Sequence, residues 1–238
     1  MSADDEKRAA GEAAAELVIP GTVVGLGTGS TAAWFVRAVA ARRLPIRAVP
    51  TSEATAALAR ELGIALVELD DVGEIDLTVD GADEIGPGLA LIKGAGAALV
   101  REKLVWEASR RCVVIADASK VVTTLGAGAY PLPIEVIAFG HLSTLRRIEA
   151  GLADCGVLCS PRLRLKDGAP LITDGGNLIY DALCGAILDP HGVEAALKSI
   201  TGVVDHGLFL GLTREALIGT PSGVQRLSPR DLMEPPYG

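Results

Sequence analysis

Aromatic side chains are scarce, 3% of the 238 residues, which excludes the stacking platforms on which single-stranded nucleic acids are held. Positive charge is short as well: 22 Lys and Arg stand against 30 Asp and Glu, a net charge of −8. That balance opposes duplex nucleic acid or an anionic membrane as a main partner. A local basic pocket for one small anion stays open. Only four cysteines occur, at 112, 155, 159 and 184, with neither a C-x-x-C pair nor a Cys/His cluster at zinc spacing. They read as reduced thiols, and no metal is expected. The start, Met1-Ser2-Ala3-Asp4-Asp5-Glu6, is acidic where a signal peptide would be basic, so a cytoplasmic location is the expectation. One long uncharged stretch, 17–36, holds Pro20, Gly21, Gly25, Gly27 and Gly29 and makes a poor membrane helix.

What is abundant is apolar surface, 49% of residues, and glycine, 28 residues. The first implies a buried core in one large α/β domain or a main domain with a companion; the second suggests loops that approach a ligand closely. Strand and helix patterns alternate through the first half. An Ala-rich helix over 4–18 precedes a buried strand at 22–25, and Ser30 or Thr28 can cap a helix running through Trp34, Val36 and Val39. A strand at 46–49, a helix opened by Ser52-Glu53 and stopped by Gly63, strands at 64–69 and 75–79, a helix at 97–108 and a strand at 112–116 follow. Such βαβ grammar specifies a mostly parallel sheet covered by helices on both faces. Beyond Leu125 the pattern changes. Residues 126–133 read as a linker, and a strand at 134–139, a helix at 141–151, strands at 162–165 and 177–181, a helix at 193–200 and a strand at 203–210 describe a split α+β unit. The expected division is a main domain of 1–130 plus 206–238, with 215–227 returning to the main sheet, and a small domain of 131–205.

Candidate chemistry sits at strand ends. Gly25-Leu26-Gly27-Thr28-Gly29-Ser30-Thr31 joins a strand to a helix, where backbone N–H groups and hydroxyls can converge on an anion. It is neither G-x-G-x-x-G nor a Walker loop, and an ordinary tight turn remains the alternative. Asp80-Gly81-Ala82-Asp83 ends a strand where the ligand crevice of an open α/β sheet lies; the two carboxylates either face that crevice together or form a solvated acidic turn. Lys93-Gly94-Ala95-Gly96 places a cation beside flexible backbone, suited to an oxyanion. Glu102, between Arg101 and Lys103, reads in isolation as part of a solvated ion pair. Lys120 also follows a strand and either meets a sugar hydroxyl or phosphate or is a surface lysine. His141, His191 and His206 lie away from every Gly-rich loop, and no G-x-S-x-G elbow anchors a hydrolase triad.

Together these segments strongly resemble the metal-free type A family of ribose-5-phosphate isomerases. The match runs through G-L-G-T-G-S-T-A at 25–32, V-D-G-A-D-E-I at 79–85, K-G-A-G-A-A-L at 93–99, R-E-K at 101–103, A-D-A-S-K at 116–120, L-P-I-E-V-I at 132–137 and I-G-T-P at 218–221. The resemblance implies a Rossmann-like main domain, a small ferredoxin-like lid domain and a homodimer or homotetramer. It implies interconversion of D-ribose 5-phosphate and D-ribulose 5-phosphate, in the non-oxidative branch of the pentose phosphate pathway, without metal or organic cofactor. It makes Glu102 the proton-shuttling base, reversing the local reading, with Lys93, Asp80 and Asp83 as active-site partners and Lys93 on the oxyanion. Substrate contacts are implied for Thr28, Gly29, Ser30, Thr31, Asp80, Gly81, Ala82, Asp83, Lys93, Gly94, Ala95, Gly96 and Lys120. Two departures stand out: Ala95 replaces a glycine of the usual K-G-G-G, and Thr173-Asp174-Gly175-Gly176-Asn177 replaces T-D-N-G-N. The competing readings are a CoA transferase, similar in fold with a Glu nucleophile, and a sugar-phosphate sensor without turnover. The sensor reading lacks a basic helix-turn-helix segment near the start.

Overall fold

The computed structural model describes residues 2–128 and 130–233. Helix α1 (Ala3–Ala15) starts at Ser2, whose hydroxyl accepts from Asp5 N while the Asp5 carboxylate accepts from Ser2 N, a reciprocal cap of two otherwise orphaned donors. Along the chain follow β1 (Val23–Leu26), α2 (Ser30–Ala41), β2 (Arg47–Pro50), α3 (Glu53–Glu61), β3 (Leu77–Gly81), β4 (Glu84–Ile85), β5 (Leu91–Ile92), α4 (Leu99–Glu107) and β6 (Cys112–Asp117). Next come β7 (Leu132–Val136), α5 (His141–Asp154), β8 (Arg162–Leu163), β9 (Leu165–Lys166), β10 (Ala169–Pro170), β11 (Leu178–Ala182) and α6 (Pro190–Lys198). The chain closes with β12 (Val203–His206), β13 (Leu208–Phe209), β14 (Glu215–Thr220) and β15 (Gly223–Leu227).

The main sheet has strand order β15-β14-β6-β3-β1-β2, all neighbours parallel except β14 with β15. The fold is α/β, and the expected return of 215–227 to this sheet is present. Strands β1 and β6 are buried along their whole length, which is why they read as continuous apolar runs and not as alternating ones. α1 lies against α2 so closely that a Cβ on Gly11 would stand 2.7 Å from Phe35 N. A second, four-stranded antiparallel sheet has order β12-β7-β11-β8 with α5 and α6 between its strands. This is the split βαββαβ arrangement expected from the pattern. A third sheet, β13-β5-β4, lies between the other two in connectivity and carries the lysine discussed below.

Three local expectations differ. Residues 64–69 form no strand, only a bridge of Leu66 to Ala48; the next ladder bond would need an N–H from Pro50, which has none. The run 203–210 is broken at Gly207, where a Cβ would fall 2.2 Å from Lys93 O and 2.6 Å from Pro133 Cδ, and the chain there leaves one sheet for another. Residues 126–133 are pinned rather than free: Gly126 N donates to Glu84 Oε2 at 2.6 Å and Ile187 N to Leu125 O at 2.8 Å; Ala129 of that stretch lies outside the described residues. Among the described residues no helix is long and apolar enough to cross a membrane.

Candidate active site

The carboxyl ends of β1 and β3 meet where the first Gly-rich loop leaves the sheet. Gly27 is there for lack of a side chain, since a Cβ would stand 2.2 Å from Asp80 Oδ1. The loop therefore lies flat on the end of β3, and Asp80 Oδ1 accepts from Thr28 N at 2.9 Å and from Gly81 N at 2.7 Å. Helix α2 begins directly after, capped by no side chain: its N-cap is Gly29 at φ 106, so neither Ser30 nor Thr28 plays the capping role expected. The first-turn N–H groups of α2 have no intrahelical acceptor and face an anion favourably.

Lys93 follows β5 and is 2% exposed. Its Nζ stands 3.0 Å from Asp80 Oδ2 and 3.3 Å from Glu102 Oε1, and donates to Gly81 O. Glu102 is in the first turn of α4 and is 3% exposed. Its second oxygen, Oε2, is buried without a hydrogen-bond partner among the described residues. Burial, only partly offset by Lys93, pushes the Glu102 carboxyl up to about 8, with Asp80 and Asp83 adding to the rise. Burial works to lower the Lys93 value, but the Asp80 and Glu102 carboxylates outweigh it and hold the ammonium above its ordinary range. The solvated ion pair first read into Arg101-Glu102-Lys103 is thus overturned for two of the three. Only Arg101 is at the surface, pairing Glu53 at 2.9 Å; Lys103 is buried, with Nζ 2.6 Å from Asp205 Oδ1 and 2.9 Å from His206 O.

Above this triad opens a cavity of about 260 Å³. Of the expected contact residues, Thr28 through Thr31, Gly81 through Asp83, Lys93 through Gly96, Glu102 and Lys120 all line it. Asp80 does not: it is fully buried and lies beneath, reaching the cavity through Lys93. The two carboxylates expected to face the crevice together are therefore divided, since Asp83 is on the wall with Oδ2 accepting from Ala95 N at 2.9 Å. Thr28 also departs from expectation. Its hydroxyl belongs to a cluster with Thr51 at 2.7 Å, Ser52 at 2.8 Å and Thr55 at 3.2 Å, and its N–H is spent on Asp80, so it shapes the loop and leaves the free groups to Ser30 and Thr31.

Sequence reasoning missed two lining residues, Lys7 and Tyr130. Lys7 Nζ lies 3.4 Å from Ser30 Oγ, and Lys120 Nζ sits 3.9 Å from the Tyr130 ring centroid. Lys7 thus stands beside the α2 N-terminus, Lys120 lies against Tyr130 on the same cavity's wall, and the buried carboxyl and ammonium of Glu102 and Lys93 line it as well. The Ala95 methyl costs the loop little, because the positive φ values in this segment belong to Gly94 and Ala97. Among the described residues no group of three or more His, Cys, Asp or Glu is arranged to hold a metal. The arrangement is suited to bind a small phosphorylated molecule at one end and to move a proton at the other.

Comparison with known proteins identifies the family. The family described as Ribose 5-phosphate isomerase A (phosphoriboisomerase A) matches residues 47–223. A Ribose-5-phosphate isomerase A of Caulobacter sp. (strain K31) is 68% identical over 229 residues, covering 96% of this chain and all of that one; its counterpart in Chloroflexus aurantiacus is 48% identical, covering 97% of this chain and 96% of the other. Among solved structures, ribose 5-phosphate isomerase A of Methanocaldococcus jannaschii superposes with a TM-score of 0.87 at 37% identity, covering 95% of this chain and 100% of that one. A D-ribose-5-phosphate isomerase solved in complex with phospho-erythronic acid gives a TM-score of 0.88 at 36% identity, covering 96% and 100%.

Proposed function

The chain belongs to the ribose 5-phosphate isomerase A family of aldose–ketose isomerases, and from that premise we propose that its cleft interconverts D-ribose 5-phosphate and D-ribulose 5-phosphate through an enediolate, with Glu102 as the base. The observation that carries the mechanism is the buried ammonium of Lys93 held between Glu102 and Asp80 at the cavity floor. The phosphate is placed at Ser30 and Thr31, on the N–H groups of the first turn of α2, between Lys7 and Lys120. This orientation brings C1 and C2 of the open-chain sugar over Glu102. A family member has been solved in complex with phospho-erythronic acid, which supports a phosphorylated sugar as the ligand class of this cleft.

Glu102 takes the proton from C2 of the aldose and returns it to C1, so one carboxylate serves both transfers. A carboxyl raised to about 8 is a far stronger base than an ordinary one and is matched to neutral pH. As the proton moves, negative charge leaves Glu102 and grows on the substrate oxygen. Lys93 is within reach of both, and a fixed donor at a developing oxyanion is worth roughly 10² to 10³ in rate. Asp80 takes no proton; its Oδ1 is saturated by two backbone N–H groups and its Oδ2 anchors Lys93. Asp83, with one oxygen committed to Ala95 N, offers the other to a sugar hydroxyl. We assign residues 131–205 as the lid, and a homodimer or homotetramer in the cytoplasm as the working assembly. The exposed Phe139, Leu158 and Leu188 support association of copies, and the mass in solution tests it.

The experiment is incubation with ribose 5-phosphate in EDTA while ketose formation is followed. Turnover is expected. Binding without turnover would favour a sugar-phosphate sensor, and dependence on an acyl-CoA would favour a CoA transferase.

A further inference from the structure

Beneath Lys93 lies a group that the proton-transfer scheme does not use. Phe209, in β13, is fully buried, and Trp106, in α4, is 1% exposed. Their rings meet edge to face, centroids 5.6 Å apart at 79°. Lys93 Nζ stands over both, 5.4 Å from the Phe209 centroid and 5.5 Å from that of Trp106. A second buried ammonium, that of Lys103, approaches the same Phe209 ring at 4.9 Å. These distances lie within the range where a ring face attracts a cation. The Trp106 indole N–H is buried with no acceptor among the described residues. A buried donor without a partner is costly, so packing alone is a poor reason for an indole here, where an aliphatic side chain would fill space without leaving a donor unpaired.

We infer that Phe209, with Trp106 beside it, is a positioning residue for the isomerisation: its ring face holds the Lys93 ammonium charged and within reach of the reacting oxygen without competing for it. The reasoning rests on the role given to Lys93 above and follows the charge through the reaction. Lys93, 2% exposed, must stay protonated although it is buried, yet be free to turn from Glu102 to the oxyanion as the proton moves. A third carboxylate would supply the first need and defeat the second, because it would hold the ammonium by a directed bond. A ring quadrupole stabilises the cation over a broad area and accepts no strong hydrogen bond. The shared ring also links Lys93 to Lys103, whose bonds to Asp205 and His206 O fix the opposite side of α4.

The test is a fluorination series at position 209, in which phenylalanine is replaced site-specifically by 4-fluoro-, 3,4,5-trifluoro- and pentafluorophenylalanine, with Phe209→Leu as the end point. Fluorine drains the ring face while nearly preserving its shape. The pH profile of kcat for ribose 5-phosphate is the readout. The groups facing Glu102 and Lys93 are Asp80 and Asp83 from the β3 end, Cys112 on β6, Lys7, Lys120 and Tyr130 on the cavity wall, and Lys103, Lys198, Asp205 and His206 behind Phe209. None of these is altered in the series. With each fluorination step the alkaline limb, where Lys93 loses its proton, is expected to move to lower pH, by about half a unit to one unit in total. The acid limb is expected to move up as the ammonium loosens from Glu102, and kcat at the optimum to fall about ten-fold, while KM stays within about two-fold. The same series at the exposed Phe139 is expected to change nothing. A flat profile across the series in an active enzyme, with at most a lower Tm for Phe209→Leu, would overturn the inference and leave Phe209 a packing residue. Absence of isomerase activity in the unmodified protein would instead sink the proposed function.

Discussion

Replacing Glu102 by Gln changes one atom type at the cavity floor and keeps the shape of the side chain. The amide can still lie beside the Lys93 ammonium, 3.3 Å from the carboxylate oxygen it replaces, so binding of the substrate should change little. What is lost is the proton acceptor. A positioned base contributes on the order of 10² to 10⁴, and kcat is therefore expected to fall by at least about 10², or about 3 kcal/mol of transition-state stabilisation, with KM nearly constant. The pH dependence gives an independent reading. With the carboxyl raised to about 8, roughly one Glu102 in ten is ionised at pH 7. In the unmodified enzyme kcat/KM should then climb steeply between pH 6 and 8, above the second ionisation of the substrate phosphate at about 6, and level off beyond. Stability has the opposite sign. A carboxyl whose folded value exceeds its unfolded one binds more protons when folded, so stability falls as pH rises from about 4.5 to about 8. The Gln variant lacks this loss, and its Tm relative to the parent should rise across that window. The assays are steady-state ketose formation and calorimetry from pH 5 to 9. A Gln variant with near-normal kcat, or a flat kcat/KM between pH 6 and 8, would refute Glu102 as the base.

Lys7→Ala and Lys120→Ala should raise KM at least about ten-fold and largely spare kcat, as expected for charge-assisted contacts worth roughly 1.5 to 3 kcal/mol, whereas Lys93→Ala should act mainly on kcat; the reverse pattern in steady-state kinetics would exchange their roles. Gly27→Ala should cut both Tm and kcat, because its Cβ would collide with Asp80 Oδ1 at 2.2 Å and displace the anchor of Lys93; a stable, fully active variant would show that the loop gives way freely. Ala95→Gly, which restores the usual K-G-G-G, should leave kcat and KM within about two-fold, and a larger change in either would show that the methyl shapes the loop.

How far the sequence led depended on where each signal is encoded. The strands β1, β3 and β6 and the three loops at their carboxyl ends were legible because buried parallel strands are short apolar runs and the loops carry their glycines and charges beside them. Glu102 was different. Arg-Glu-Lys on a short helix has the same periodicity whether it faces water or the core, and what buries two of the three is tertiary: Lys93 draws Glu102 inward while Asp205, some 100 residues on, draws Lys103 to the other side. Only the resemblance pointed to it. Lys7 and Tyr130 had no local signal at all, being an ordinary lysine on an acidic helix and a tyrosine in a stretch read as linker; both enter the site because α1 and the 126–133 segment are pinned beside it. Gly207 shows the same limit in the backbone. Its residue type allowed a break, but the need for one arises from Lys93 O at 2.2 Å from where a Cβ would stand. The same residue contact sets the position of Lys93, since Lys93 N donates to Gly207 O at 2.9 Å. The change of sheet at Gly207 is therefore a feature of the site: it brings Phe209 under Lys93 from one side and Asp205 against Lys103 from the other, and so fixes α4 and Glu102 between two lysines.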